Sequence, residues 1–395
     1  MKKDILFIVE NLSFPFDRRV YREAISLKEK GYNISVISPK GIERDKKSFE
    51  IFEGIYVYRY PLIVISKNRF DYLLEYLFSF FFIFLLSIKI LIEKNFDVIH
   101  IANPPDIFFP ILSFYRIFGK KIIFDQHDLT PESYLSRFRD ERKDFFYKIQ
   151  ILFEFLTYKA ANYIIVTNRS YYKIAKERGG KNKKIVIVRN GPLKKHFDFK
   201  GNFPEIKENF KYLVVYIGIM GIQDGVDYLI RSIDHFVNTL GRKDTLFVLI
   251  GKGDDFDNLK RMVKEFKLEK FVKFTGRISD EEALKYLSTA DVAASPDPKN
   301  PLNDLSTMNK VMEYMITKSP IVSYDLKEAR YSAGDNALYV ENNDYKKFAE
   351  KISYLLDNED LRKSMAENGY KRVSEKFCWE KQKENLFSLY ERIRI

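Results

Sequence analysis

The chain predicts an α/β protein made of two doubly wound, parallel-sheet domains of Rossmann-like order, and three observations carry that expectation. Short apolar runs alternate with amphipathic helical stretches from the first residues onward. Each run breaks off into Asn, Asp, Gly or Pro at its carboxyl end, the pattern of buried parallel strands. Past a polar stretch at 194–210 the same alternation begins again, and 395 residues suffice for two cores. The expected division is 1–193, a linker at 194–210, 211–375, and a terminal helix at 376–395.

In the first half, Asp4–Val9 reads as a buried strand closed by Glu10-Asn11. Asp17-Arg18-Arg19 then opens an amphipathic helix, Val20–Lys30, stopped by Gly31, and Asn33–Ser38 is the next strand. Asn11, Asp17, Arg18 and Arg19 therefore lie beyond the carboxyl end of the first strand, where open α/β sheets bind ligands. Asp97–Ile101 is a further strand carrying His100, followed by Asn103-Pro104-Pro105-Asp106. Lys121–Phe124 ends in Asp125-Gln126-His127-Asp128, which presents His127 at a strand-to-loop turn with carboxylates on both sides. Such a histidine can be held in one tautomer and can donate or accept at a reacting group. His100, inside its strand, reads as packed or as a support behind the site residues. A helix at Lys143–Ala160 and strands at Tyr163–Thr167 and Ile185–Val188 complete the set.

The second half repeats the plan. Strands at Tyr212–Ile217, Thr245–Ile250 and Val272–Thr275 run into Gly218-Ile219-Met220-Gly221, Gly251-Lys252-Gly253 and Gly276-Arg277. Glycine lets a backbone approach a ligand closely, and several such loops at one sheet edge suggest a phosphate- or nucleotide-binding rim. None fits G-x-G-x-x-G, so a dinucleotide fingerprint is not supported. After Val292–Ser295 comes PLNDLSTMNKVMEYMITKSPIVSYD, residues 301–325. It predicts a loop, a helix from about Thr307 to Thr317 capped by Ser306 or Thr307, and the strand Pro320–Tyr324. A helix start offers amides and a positive dipole end to a phosphate, and Lys310 adds a charge, with Glu313 a turn further along roughly the same face.

A net charge of +12 fits contact with something anionic, but the basic clusters sit at junctions between elements, so nucleic acid is not the expected partner. Cys378 is the single cysteine, which excludes an intrachain disulfide and a cysteine-based metal site. The four histidines lack metal-ligand spacing, and no metal or other cofactor is expected. Ile5–Val9 is too short for a signal peptide, so the domains are expected in the cytoplasm. The most apolar stretch, Tyr72–Ile92, has roughly 13 uncharged residues between Glu75 and Lys89, about 20 Å of helix. A bilayer core of about 30 Å is longer, so the expectation is burial in the first domain, with a membrane-interface position at 73–92 as the alternative.

Two such domains joined by a linker, with a terminal helix able to cross back, resemble GT-B-type glycosyltransferases. More specifically, P-F-D-R-R-V, D-V-I-H, F-D-Q-H-D-L-T-P-E, V-R-N-G, G-K-G-D, F-T-G-R-I and D-L-S-T-M-N-K-V-M-E-Y-M with S-P-I-V-S-Y-D resemble glycosyltransferase family 4, in order and over nearly the whole chain. The resemblance implies metal-independent, retaining transfer from a nucleotide-sugar (a UDP- or GDP-sugar) in a cleft between the domains. By position, Glu313 matches the carboxylate that binds the donor ribose, Arg277 the loop that meets the nucleobase, and His127 the histidine near the transferred sugar. Gly218, Gly221, Gly251, Gly253, Ser306, Thr307, Met308, Asn309 and Lys310 fall in the donor site, and Asn11 to Arg19 would face the acceptor.

Two departures stand out. The position eight before Glu313, where many relatives carry Glu, is Leu305, with Asp304 beside it to take part of that role. The loop after Gly218 lacks the Arg and Lys of those relatives, which leaves the diphosphate to Lys310 and the Ser306–Asn309 amides. The expected function is synthesis of a surface glycan at the inner membrane face, onto a glycan or lipid-linked acceptor. A nucleotide-sugar 2-epimerase and a non-catalytic partner of the same fold are the competing expectations.

Overall fold

The computed structural model describes the chain except residues 1–2, 42–44, 62–68, 138–141, 194–195, 197–198, 200, 202, 342 and 394–395. Contacts divide it into two compact units: Met1–Leu135 with Arg142–Arg189 and Gln382–Ile395, and Ser136–Glu141 with Asn190–Lys381.

The first unit holds strands β1 (Asp4–Ile8), β2 (Asn33–Pro39), β3 (Phe49–Phe52), β4 (Ile55–Tyr60), β5 (Val98–Ala102), β6 (Lys121–Gln126), β7 (Tyr163–Val166) and β8 (Lys184–Ile187). Their order is β3-β4-β2-β1-β5-β6-β7-β8, with every neighbouring pair parallel except β3 with β4. The β3–β4 hairpin, absent from the sequence reading, turns on Glu53 and Gly54, both at positive φ (49° and 79°). That conformation belongs to the two-residue hairpin turns that match strand twist. Helices α1 (Arg18–Glu29), α2 (Arg69–Glu93), α3 (Phe109–Ile117), α4 (Thr130–Arg137), α5 (Phe145–Ala160) and α6 (Arg169–Ala175) connect the strands.

The second unit is a six-stranded, all-parallel sheet of β9 (Tyr212–Ile217), β10 (Thr245–Ile250), β11 (Val272–Gly276), β12 (Val292–Ser295), β13 (Ile321–Tyr324) and β14 (Ala337–Val340), ordered β11-β10-β9-β12-β13-β14. Its helices are α7 (Val226–Asp234), α8 (Phe256–Glu265), α9 (Asp280–Thr289), α10 (Asn309–Ile316), α11 (Lys327–Ala333), α12 (Tyr345–Asp357) and α13 (Glu359–Lys376). Strand alternation sends Val214, Tyr216, Phe247 and Leu249 to one apolar layer and Leu213, Val215, Val248 and Ile250 to the other. Part of the predicted linker belongs to this body, since the Phe203 amide donates to Thr289 Oγ1 (3.0 Å) and Lys207 pairs with Asp291 (2.7 Å). The last helix, α14 (Trp379–Glu391), carries the chain back to the first unit. There Leu386, Leu389 and Tyr390 are buried, and the Tyr390 hydroxyl lies 2.7 Å from His100 Nδ1.

Each sheet reverses its winding at one point, between β1 and β5 in the first unit and between β9 and β12 in the second. Loops leaving the strands there diverge and open a crevice, the usual ligand position in such sheets. Strands β9 and β12 pair only through Val292↔Val214 and Ala293↔Val215 before they splay. The Tyr314 hydroxyl of α10 fills the split, accepting from the Ile217 amide (3.1 Å) and donating to the Ala294 carbonyl (2.9 Å). Both backbone groups are thereby satisfied.

Helix α2 corrects the reading of its stretch. Leu74–Glu93 is long and apolar enough by length and composition to cross a membrane, yet Ser79, Ile83, Ser87 and Ile90 are buried at helical spacing. The opposite row, Leu74, Leu77, Phe81, Leu85 and Ile92, is exposed, and 22% of the window is buried. The expectation of burial holds for one face alone.

Gly251 and Gly253 of the second rim pack against the loop that follows β9. A Cβ on Gly251, whose φ is +131°, would lie 1.9 Å from the Gly218 carbonyl oxygen, and one on Gly253 would lie 2.6 Å from Met220 backbone atoms. Gly251→Ala is therefore expected to destabilise the second unit by about 1–3 kcal/mol through strain and displaced backbone. Urea unfolding of the variant checks this, and an unchanged midpoint would refute it.

Candidate active site

The second unit's rim gathers most of the residues expected at a donor site. Three strand ends supply them: Gly218–Gly225 after β9, Gly251–Gly253 after β10 and Pro296–Met308 after β12. Buried Asn303 ties two of these loops, its Nδ2 donating to the carbonyls of Gln223 and Pro298 (2.9 Å each). Lys310 lies against Gly218, where a Cβ would be 3.3 Å from Lys310 Cε, and its Nζ is 4.7 Å from the Tyr216 ring centre.

Lys310 is not a solvated charge. Its side chain is 10% exposed, and Nζ donates to Asp297 Oδ1 at 2.7 Å while Ser295 Oγ donates to the other Asp297 oxygen at 2.8 Å. Burial disfavours its charge, but Asp297 and Asp224 outweigh that and raise its pKa. Asp224 accepts the Gly221 amide (3.0 Å), and burial, moderated by Lys310 and reinforced by Asp297, pushes its pKa to about 6. Asp224 and Asp297 were not singled out in the sequence, and nothing in their spacing marks them.

The predicted cap is wrong in detail. Helix α10 starts at Asn309 with Met308 as N-cap and no side-chain cap bond, while Ser306 Oγ donates back to the Leu302 carbonyl (2.9 Å). Leu302 and Ser306 sit in a run of turns that delays the helix by two residues. Asp304 accepts the Lys327 amide at the start of α11 (3.0 Å) and lies 3.8 Å from Lys299. Arg277 is exposed directly after Gly276, whose φ is +67°, and Glu313 is half-buried along α10.

The first unit's rim is organised by a buried ion pair. Arg19 donates from Nε and Nη2 to the two oxygens of Asp125 (2.9 and 2.7 Å) and from Nη1 to the Val188 carbonyl (2.8 Å). Its side chain is 5% exposed and lies 3.1 Å from Glu23 Oε1. Asp17 is likewise engaged, accepting the Arg19 and Val20 amides as the cap of α1 (3.0 and 2.9 Å). Arg19 and Asp17, both expected to face an acceptor, are thus each bonded within this unit, Arg19 through its guanidinium and Asp17 through its carboxylate. Asn11 and Arg18 stay exposed at this edge.

His127 stands where the sequence placed it, just past β6. Its Nε2 is 2.6 Å from Asp125 Oδ2, and its side chain is 13% exposed. Asn103 holds the turn, its Oδ1 accepting the amides of His127 (2.6 Å) and Asp128 (3.2 Å). Burial works against ionising Asp125, yet Arg19 and His127 outweigh it and hold its carboxyl well below the usual range. Burial raises Glu23 far above that range despite Arg19, and it lowers the packed His100. Glu23, His100 and Asp125 offer ligand atoms within 4.8 Å of one another. The Arg19 guanidinium already lies beside two of them.

Comparison with known proteins bears on nearly every residue. Residues 17–191 match the family described as Glycosyltransferase Family 4, and 198–372 match Glycosyl transferases group 1. An uncharacterized glycosyltransferase of Methanocaldococcus jannaschii is 24% identical over 92% of this chain and 91% of its own length. The capsular polysaccharide biosynthesis glycosyltransferase CapM of Staphylococcus aureus is 26% identical over 63% of this chain and 66% of its own. Among solved structures, Anabaena HepE in complex with UDP and glucose superposes with a TM-score of 0.73 at 13% identity, covering 99% of this chain and 100% of that one. The two sheet units, the ordered motifs and both family matches agree, and the chain belongs to the family 4 type of GT-B glycosyltransferases.

Proposed function

We propose that the protein transfers a sugar from a nucleotide-sugar, a UDP- or GDP-sugar, with retention of configuration and without a metal, onto a glycan or lipid-linked acceptor in cell-surface polysaccharide synthesis. The observation that carries this reading is Lys310, a charged ammonium set against Gly218 at a rim of three strand-end loops. Of its three N–H donors, one is described as bonded to Asp297, so two remain for phosphate oxygens. The start of α10 beside it lacks a side-chain cap and adds a positive dipole end. Glu313 would hold the donor ribose, Arg277 the base, and His127 the transferred sugar. Asp304, engaged at α11, is assigned no chemistry.

Support for CapM-like work in polysaccharide synthesis comes from that relative's name, and support for a UDP-type donor from the ligand of HepE. Membrane contact at the inner face is supported by the exposed row on α2, continued on α3 by Phe114, Ile117 and Phe118 and on α5 by Phe145, Leu152 and Phe155. The edge-on contact of Phe84 with Phe114 and the tilted contact of Phe109 with Phe153 make these helices neighbours. Exposed apolar area on this scale is unusual for a surface facing water, and Lys89 and Lys159 beside it would meet anionic headgroups.

Four outcomes follow. A thermal-shift screen of nucleotide-sugars should raise the melting temperature with one of them. Lys310→Ala should then weaken that donor's affinity by about 10- to 100-fold in calorimetry, and equal affinity would refute the diphosphate role. Donor affinity should also rise between pH 7.5 and 5.5. Asp224 loses its negative charge as pH falls through about 6, while a nucleotide-sugar diphosphate keeps its own. The dependence should vanish in Asp224→Asn. The same raised pKa favours the protonated folded form, so this group's contribution to stability is full at low pH and lost as pH rises through about 6. Finally, the protein should co-sediment with phosphatidylglycerol vesicles, and Phe81→Glu with Leu85→Glu should abolish this. Undiminished binding would remove the membrane part.

A further inference from the structure

We infer that Asp125 is a positioning residue for His127: its carboxylate fixes which imidazole nitrogen is bound inside the protein and which is left for the substrate. The inference rests on the proposed role of His127 near the transferred sugar.

Charge balance comes first. Glu23 and Asp125 are both fully buried and share one guanidinium, that of Arg19. One cation neutralises one carboxylate, and a second unpaired charge in that place would be costly. Asp125 receives the two-pronged contact, at 2.7 and 2.9 Å, so it is the ionised member. Glu23 carries the proton, in keeping with the effect of burial on it.

The far side of Asp125 is closed by His100, whose Nε2 lies 3.3 Å from Glu23 Oε2 and 3.5 Å from Asp125 Oδ2. Its ring stacks on Phe7 at 4.3 Å, and its Nδ1 meets the Tyr390 hydroxyl at 2.7 Å. Asp125 is thus held by Arg19 and flanked by His100 before it reaches His127.

An ionised carboxylate can only accept. At 2.6 Å, Asp125 Oδ2 therefore requires the hydrogen on His127 Nε2. Nδ1 remains as the working atom: a lone pair that accepts a sugar hydroxyl in the neutral ring, or an N–H that donates to a sugar oxygen when the ring is charged. Losing Asp125 would free the ring to exchange tautomers and rotate. Wrong-tautomer histidines lose turnover while substrate binding persists.

Two amide substitutions in one buried cluster separate positioning from structural support. With the nucleotide-sugar selected by thermal shift, Glu23→Gln should keep kcat for donor hydrolysis within about twofold, since it replaces a protonated carboxyl by a neutral near-isostere. Asp125→Asn should lower kcat by about 100-fold with donor affinity unchanged. Placed on His127→Ala, Asp125→Asn should add no further loss, because it acts through that ring. Equal losses in the two amide variants, or additive losses in the double variant, would overturn the inference. Full turnover by His127→Ala would instead refute the role of His127. Should Asp125→Asn fail to fold, ¹⁵N-histidine NMR of the unsubstituted protein decides, with the His127 signal assigned through His127→Gln. The Nε2-protonated tautomer is expected, and the Nδ1-protonated one would overturn the inference.

Discussion

The bond between Arg19 and Asp125 sets the terms for the first unit's rim. An isolated buried carboxylate or guanidinium would cost several kcal/mol, and the two remain charged only because they face each other with their hydrogen bonds matched. That pairing joins the start of α1 to the end of β6 and, through the Val188 carbonyl, to the end of β8. Three elements distant in the chain are locked at the sheet edge where the winding reverses. His127 inherits its geometry from this lock, as does the buried proton on Glu23.

The second unit reaches a comparable edge by other means. There the loops approach so closely that side chains cannot fit, and the Gly218–Gly251 contact stands in for an ion pair as the organising constraint. Tyr314 adds the piece that the backbone alone cannot supply, satisfying the Ile217 amide and the Ala294 carbonyl where β9 and β12 part. Because Lys310 and Tyr314 are one helical turn apart on α10, the helix that seals the split also delivers the cation to the rim.

Much of this was legible in the residues. Parallel strands buried on both faces are continuous apolar runs, so β9, β10 and β12 could be read to the residue; the ends of β9 and β10 located Gly218 and Gly251, and the run of β6 located His127 just beyond it. Beside the room for a ligand read from the sequence, glycine here also admits neighbouring backbone, as Gly251 against Gly218 shows. The β3–β4 hairpin was missed although Glu53-Gly54 carries the turn, because its strands lack a clean alternation. Asp297, Asp224 and Tyr314 could not be found from spacing. Their importance comes from what lies across a fold from them, and an aromatic on a helix reads as ordinary core.

Arg19 and Lys310 show why a basic residue at a strand edge is ambiguous in a sequence. Both follow a strand, both sit near the start of a helix, and both are buried against an aspartate. The difference lies in the chemistry of the cation. A guanidinium has a planar fork, here bonded to two carboxylate oxygens and a carbonyl, which makes Arg19 a fastener. An ammonium held by one carboxylate oxygen keeps donors in hand and can exchange part of that contact for a phosphate. The same reasoning keeps Lys310 in the proposed donor site despite Asp297: an aspartate that holds a lysine charged against Gly218 would prepare a place that an anion would otherwise have to organise.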